Sequence, residues 1–201
     1  MENVKEIINY SLGDKDELYD RENRRLYLNE IVDEGVIETL AYMIMKYNRD
    51  DKDIPTDQRK PIILYINSPG GNVEDGYGLI DALLTSKTPV YTVNLAQCSS
   101  MGFLIFIAGK KRYAMPHSQF LMHDGQSFGF DSTAKLKDRI EFEAIELESM
   151  TKKYILDHTN MTDQFYDEKY RMEFYFLPQK AKELGVADYI VGEDCDIDEI
   201  I

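Results

Sequence analysis

Apolar positions along the chain follow two periods, and together they predict an α/β fold. A continuous apolar run at 61–67 is typical of a parallel strand that is covered on both faces, and a second strand is predicted at 90–95. Helical spacing over 73–84 lies between them, so strand, helix and strand form a βαβ unit. A shorter strand is predicted at 25–28, and a helix over 34–47 follows it. The apolar positions that share one face of that helix are Val36, Ile37, Leu40, Ala41, Ile44 and Met45.

The second half of the chain predicts one unusually long helix. It begins after an N-cap at Asp131 or Ser132 and runs to about Leu156. Such a long apolar stripe favours packing against another subunit, with ordinary core packing as the alternative. Short strands are predicted at 112–114, 120–122 and 189–191, and shorter helices at 163–170 and 179–184. The residues of the stripe are Leu136, Ile140, Ala144, Leu147 and Tyr154.

Composition narrows the class of protein. A chain of 201 residues with 43% apolar and 30% charged residues suits one globular domain with a sizeable core, and with an added helical arm. A net charge of −14 argues against nucleic acid or an anionic membrane as the main partner. The sequence contains no apolar run long enough to span a membrane and no secretory signal, so a cytoplasmic protein is expected. Cys98 and Cys195 are far apart, and neither a disulfide nor a metal site is predicted.

Three segments carry groups suited to acyl transfer. Ser100 precedes the apolar run 103–108, so its hydroxyl is expected at a helix start, beside unpaired N–H groups that can hold an oxyanion. His123 ends a short strand, and the turn 67–71 contains two glycines that bring backbone N–H groups close to a ligand. Together they supply a nucleophile, a base and an anion-binding turn. Taken singly, the serine is also a common N-cap, the histidine a common surface or core residue, and the turn a common βα connection.

At these positions the chain resembles the Clp protease proteolytic subunit, a family of serine peptidases. The resemblance runs from about residue 25 to 191 and implies a ClpP/crotonase-like α/β fold of repeated βαβ units with a protruding handle helix. It also implies a serine endopeptidase that cleaves unfolded polypeptides. The matching segments, in family order, are Leu64-Tyr65-Ile66-Asn67-Ser68-Pro69-Gly70-Gly71, Ser100-Met101-Gly102, Lys111-Arg112-Tyr113-Ala114-Met115-Pro116, Met122-His123 and Ala181-Lys182-Glu183-Leu184-Gly185-Val186-Ala187-Asp188.

The resemblance further implies an assembly and a division of the chain. Relatives form two stacked heptameric rings, fed by an AAA+ Clp unfoldase that uses the ATP, so no cofactor is expected in this subunit. By position, residues 1–24 form an N-terminal arm at the axial gate. Residues 25–124 and 159–191 form the α/β head, 125–158 the handle, and 192–201 an acidic tail.

The same resemblance assigns the site residues. Ser100 is the nucleophile and His123 the general base, while the backbone N–H groups of Gly70 and Met101 take the oxyanion. The residues that fall on the family's substrate-aligning strand are Gly125, Gln126, Ser127 and Phe128.

Glu173 and the two residues before it depart from the family pattern. Gap-free alignment places Glu173 where the family has the aspartate of its triad, and a glutamate can still accept from a histidine N–H. The preceding acidic–basic pair, which couples ring contacts to triad geometry in relatives, becomes Arg171-Met172. An impaired paralogue that assembles with an active partner and regulates it is therefore the alternative function. A crotonase-type acyl-CoA enzyme shares the fold but normally lacks a serine–histidine pair at this spacing.

Overall fold

A computed structural model describes residues 19–125 and 131–201, and within them seven strands form one sheet. Its main path runs in the order β1-β2-β3-β4-β7, and every neighbouring pair along that path is parallel. The α/β class predicted from the sequence is confirmed. The strands are β1 (Arg25–Leu28), β2 (Ile62–Ser68), β3 (Val90–Ser99), β4 (Lys111–Ala114), β5 (Gln119–Met122), β6 (Phe174–Phe176) and β7 (Tyr189–Ile190).

The long strand β3 pairs with two different strands along its length. Its first half pairs with β4, from Tyr91 to Asn94, and its last residues pair with β5, with Ser99 opposite Leu121. The strand β6 pairs antiparallel with β5 at the edge of the sheet. Because β3 pairs first with β4 and then with β5, the end of β3 and the end of β5 lie side by side.

Helices cover one face of the sheet and bury most of the core. The first begins with a π-helical turn, Ile37–Ala41, and continues as α1. Val36, Leu40, Ala41 and Ile44 are buried as predicted, whereas Met45 is exposed. The helices are α1 (Tyr42–Asp50), α2 (Val73–Thr85), α3 (Met101–Ile107), α4 (Thr133–Phe142), α5 (Glu148–His158), α6 (Asp163–Lys169) and α7 (Pro178–Glu183).

The end of the predicted arm is folded against the head. Residues 19–22 are helical, and the Arg24 guanidinium makes two 2.6 Å contacts with the buried Asp51 carboxylate. The rest of the predicted arm, residues 1–18, lies outside the described residues.

The acidic tail is anchored rather than wholly exposed. Ile200 is buried against the second face of the sheet, and its carbonyl accepts a hydrogen bond from the Tyr65 hydroxyl. A smaller apolar cluster that includes Val93, Tyr113 and Val191 lies beneath this segment. Burial raises the pKa of Tyr65 to about 12, so this phenol stays a neutral donor.

The long helix is continuous from α4 to α5 through a π-helical segment, Glu143–Leu147. The predicted apolar stripe is packed on the head at one end of this helix and exposed further along it. Tyr154 is half-buried and donates to the Leu104 carbonyl at 2.9 Å, whereas Ile140 and Ala144 are exposed within this chain. Core packing therefore accounts only for the end of the stripe that lies on the head. No helix among the described residues is long and apolar enough to cross a membrane.

Candidate active site

Ser100 lies between β3 and α3 in a backbone conformation that is rare for a serine. Its φ of 53° and ψ of −120° make it one of two non-glycine residues with positive φ among those described. Its N–H donates to the Leu121 carbonyl at 2.9 Å, which holds the turn against β5. Although Ser100 occupies the N-cap position of α3, its side chain makes no capping hydrogen bond. The hydroxyl therefore does not serve as a helix cap, and strain of this kind is typical of functional sites.

The glycine turn after β2 lies directly against Ser100. Gly70 has a φ of 96°, and a Cβ there would lie 2.7 Å from the Ser100 Cβ and 2.9 Å from the Met101 nitrogen. Such distances are shorter than real contacts, so only glycine fits. Val32 fixes the turn from the other side, since its N–H donates to the Gly70 carbonyl at 2.8 Å and its carbonyl accepts from Asn72 N at 2.7 Å.

The Met101 nitrogen and the Gly70 turn both lie close to Ser100. Met101 is the first residue of α3, where N–H groups have no acceptor within the helix and the helix dipole is positive. The Gly70 N–H donates to Ser68 Oγ at 3.2 Å, which is long for a hydrogen bond of this type. The oxyanion role of these two N–H groups stays a prediction.

His123 follows β5 and lines the same cavity as Ser100 and Met101. The cavity has a volume of about 490 Å³ and lies between the head and the long helix. In the described part of the chain no hydrogen bond joins Ser100 to His123; such bonds are often long in ligand-free enzymes and tighten when substrate binds. The cavity has two apolar walls. They are formed by Val73, Tyr77 and Leu104 from the head and by Ile140, Leu147 and Ile155 from the long helix.

The peptide after His123 is held by the end of α6. The Asp124 N–H donates to the Tyr170 carbonyl at 2.7 Å, and Tyr170 also lines the cavity. The Tyr170 ring stacks on Tyr166 with 4.5 Å between ring centroids. Burial raises the pKa of Tyr170 to about 12. A packed, neutral aromatic pair thus supports the loop that carries His123.

Glu173 lies immediately before β6. Met122 pairs with Phe174, so continuing this antiparallel register by one pair places Glu173 opposite His123. The Glu173 side chain is exposed, and its Oε2 accepts from the Tyr175 hydroxyl at 3.1 Å. Within residues 19–125 and 131–201, no hydrogen bond joins Glu173 to His123. The backbone register therefore places residue Glu173 beside His123, while its carboxylate is hydrogen-bonded to Tyr175.

Comparison with known proteins identifies the family. A family model described as Clp protease matches residues 21–194. The chain belongs to the Clp protease family. Similar proteins include the ATP-dependent Clp protease proteolytic subunit 2 of Prochlorococcus marinus (strain MIT 9312), 34% identical over 173 residues, 84% of this chain and 81% of that protein. Proteolytic subunit 3 of Parasynechococcus marenigrum (strain WH8102) is 34% identical over 84% of this chain and 82% of that protein. Proteolytic subunit 1 of Frankia casuarinae is 29% identical over 85% and 78%, respectively.

Clp family membership leaves the substrate-aligning residues as a prediction. Gly125 is exposed just beyond β5 and lines the cavity. Gln126, Ser127 and Phe128 lie outside the described residues.

Two features of this Clp protease site were missed in the sequence. The first is β6, whose three residues are too few for a strand pattern, although alternation of Phe174, Tyr175 and Phe176 is compatible with one. The second is Tyr170, which acts through a backbone carbonyl and so leaves no signal in residue type.

Proposed function

We propose that this chain is the serine endopeptidase subunit of a self-compartmentalised, ATP-dependent Clp protease. The observation that carries the proposal is the backbone conformation of Ser100 at the start of α3, where its hydroxyl does not cap the helix. Ser100 lies against Gly70 and lines the same cavity as His123. A serine that served only as a helix cap would not require positive φ.

In the proposed reaction His123 removes the Ser100 proton as the hydroxyl attacks the peptide carbonyl. The N–H groups of Gly70 and Met101 stabilise the charge that develops on the carbonyl oxygen. His123 then protonates the leaving amine, and water releases the acyl group from Ser100 by the reverse sequence. Glu173 is the proposed partner of His123, which requires its carboxylate to leave the Tyr175 hydroxyl.

The proposal extends to assembly and partners. The names of the similar proteins describe ATP-dependent proteolytic subunits, which supports an AAA+ Clp unfoldase as partner and unfolded polypeptides as substrates. The ATP belongs to the unfoldase, so this subunit needs no cofactor. Two stacked heptameric rings, forming a tetradecamer in the cytoplasm, complete the proposed arrangement.

A fluorophosphonate probe tests the nucleophile. We expect the probe to phosphonylate the intact assembly on Ser100, with loss of fluoride, and not on neighbouring Ser99, because Ser99 belongs to β3 and is largely buried. Ser100→Ala should abolish labelling and peptide hydrolysis, whereas Ser99→Ala should retain both. Peptide mapping by mass spectrometry reads the position of the adduct. An adduct on Ser99, or none on an intact assembly, would overturn the assignment.

A variant on the exposed face of the long helix tests the proposed assembly. Ile140, Phe142 and Ile145 are each more than half exposed within one chain, which is costly unless another subunit covers them. We expect the native mass to lie far above the 23.4 kDa of one chain. Ile145→Asp should give a folded but smaller particle, because burying an unpaired charge is costly.

The matched control for assembly is Lys137→Asp, which also introduces an aspartate on an exposed position of α4. Native mass spectrometry should find its mass unchanged. A monomeric wild-type protein at micromolar concentration, or an Ile145→Asp particle of full size, would contradict the proposed use of this face.

One observation favours a second function, a catalytically impaired paralogue that completes mixed rings and regulates an active subunit. The Glu173 carboxylate is bonded to Tyr175 and not to His123 among the described residues. Native mass and probe labelling, with and without a co-expressed paralogue, distinguish the two functions. Incorporation into mixed rings without probe labelling of Ser100 would favour the regulatory subunit.

A further inference from the structure

The long helix and the turn after α6 are joined by one ion pair. The Arg171 guanidinium contacts the Glu148 carboxylate, with Nη2 and Oε1 3.2 Å apart. Glu148 is the first residue of α5 and lines the cavity beside Ser100 and His123. The pair therefore joins a residue that lines the cavity to the turn directly after Tyr170, which also lines it, and neither member belongs to the groups already assigned to the reaction.

Arg171 is also adjacent to the group that supports the histidine loop. The carbonyl that accepts from Asp124 N belongs to the peptide joining Tyr170 to Arg171, and the donor belongs to the peptide joining His123 to Asp124. Any rotation of the first peptide changes a 2.7 Å hydrogen bond made by the second. Two residues further on, the same turn carries Glu173 opposite His123.

We propose that the Arg171–Glu148 ion pair positions His123, by holding the turn at residues 169–173 against α5. This inference rests on the proposed peptidase function and adds two positioning residues to it. Here the arginine makes its contact within the subunit, so α5 and the histidine loop are coupled inside one chain.

The exposure of the Arg171 and Glu148 side chains sets the expected size of the effect on catalysis. Both side chains are substantially exposed, and such pairs are individually weak. The pair can nevertheless change turnover, since small misplacement of a catalytic group lowers the rate without unfolding the protein. We expect Arg171→Glu to lower kcat about fivefold to tenfold and to leave KM within about twofold. We expect Arg171→Lys to retain most of kcat because it keeps the charge.

A charge-swap cycle on the full assembled protein tests the inference. The variants are Arg171→Glu, Glu148→Arg and the double swap, each assayed for hydrolysis of a short fluorogenic peptide and for the rate of phosphonylation by the fluorophosphonate. The double swap should recover kcat to within about threefold of wild type, which a merely structural loss at either residue would not. The matched control is Lys153→Glu, which breaks a different exposed ion pair of α5, that with Asp157, and should leave kcat unchanged.

The outcomes separate this inference from the function on which it rests. No labelling of the wild-type assembly by the fluorophosphonate overturns both. Normal labelling of the wild type together with unchanged kcat in Arg171→Glu overturns only the positioning role, as does a double swap no better than the worse single variant. Native mass is measured for every variant; if Arg171→Glu loses the full assembly, the pair belongs to subunit contact and the inference is wrong.

Discussion

Glu173→Ala should lower kcat for peptide hydrolysis by about 10³- to 10⁴-fold, while Ser100 and His123 remain in place. The magnitude follows from other serine hydrolases, in which losing the triad acid costs about 10⁴-fold because the histidine is then held in the wrong tautomer. The register of β5 and β6 supports the expectation, since continuing it one pair beyond Met122 and Phe174 places Glu173 opposite His123. Steady-state hydrolysis of a short peptide by the intact oligomer provides the measurement.

Two further variants sharpen this test of Glu173. Glu173→Asp should retain or raise activity, because it restores the family residue. Tyr175→Phe removes the hydroxyl that donates to Glu173 Oε2, so it should leave activity unchanged or raise it by freeing the carboxylate. Near-normal turnover in Glu173→Ala, with the oligomer intact, would mean that another group orients His123 or that a partner subunit supplies the activity.

The largest effect on stability is expected at Asp51, at the end of α1. Its carboxylate is almost fully buried and accepts from Arg24 through both oxygens and from Thr88 Oγ1 at 2.9 Å. Asp51→Asn has nearly the same size but leaves the Arg24 guanidinium without its counter-charge. Breaking a buried pair in this way costs about 3 kcal/mol of unfolding free energy, which corresponds to a Tm lower by roughly 6–12 °C for a chain of this length. Thermal unfolding followed by circular dichroism at pH 7 measures the loss.

The stability contributed by Asp51 should also depend on pH in a definite direction. Hydrogen bonds from Arg24 hold the pKa of the Asp51 carboxyl below its ordinary value. A carboxyl whose pKa is lower in the folded state binds protons more readily in the unfolded state. Its contribution is therefore complete above the unfolded pKa of about 4 and is lost as pH falls through the folded pKa. The Tm difference between wild type and Asp51→Asn should shrink over this acidic range.

Asp50→Asn serves as the matched control for Asp51. The neighbouring carboxylate pairs with Lys46 across one turn of α1, and both side chains are substantially exposed. Pairs of this kind contribute about 0.3–0.5 kcal/mol, so its Tm should change little. Equal losses for Asp50→Asn and Asp51→Asn would contradict the account of the buried pair.

Most of the fold was predictable from the sequence, because burial leaves a periodic pattern. The apolar run of β2 and the helical spacing of α2 predicted a βαβ unit, and both elements lie within one or two residues of the expected bounds. Met45 was assigned wrongly to the buried face: Ile44 and Tyr47 on either side of it are buried, so the buried face of this helix passes beside Met45. The three-residue strand β6 was missed because its pairing with β5, and not its composition, defines it.

The sequence by itself also determined which residues to consider for chemistry. Ser100, His123 and the glycine turn have side-chain and backbone requirements that appear in residue type and spacing. Only the tertiary structure decided how they meet: β2 pairs with β3, with Ser68 opposite Cys98, which brings Gly70 to the end of β3, and β5 pairs with the same end, which places His123 in the same cavity. The hydrogen bond from the Asp124 N–H to the Tyr170 carbonyl is likewise decided by packing between segments distant in sequence. A linear pattern records what each position requires locally, whereas these contacts depend on which distant segment lies beside it.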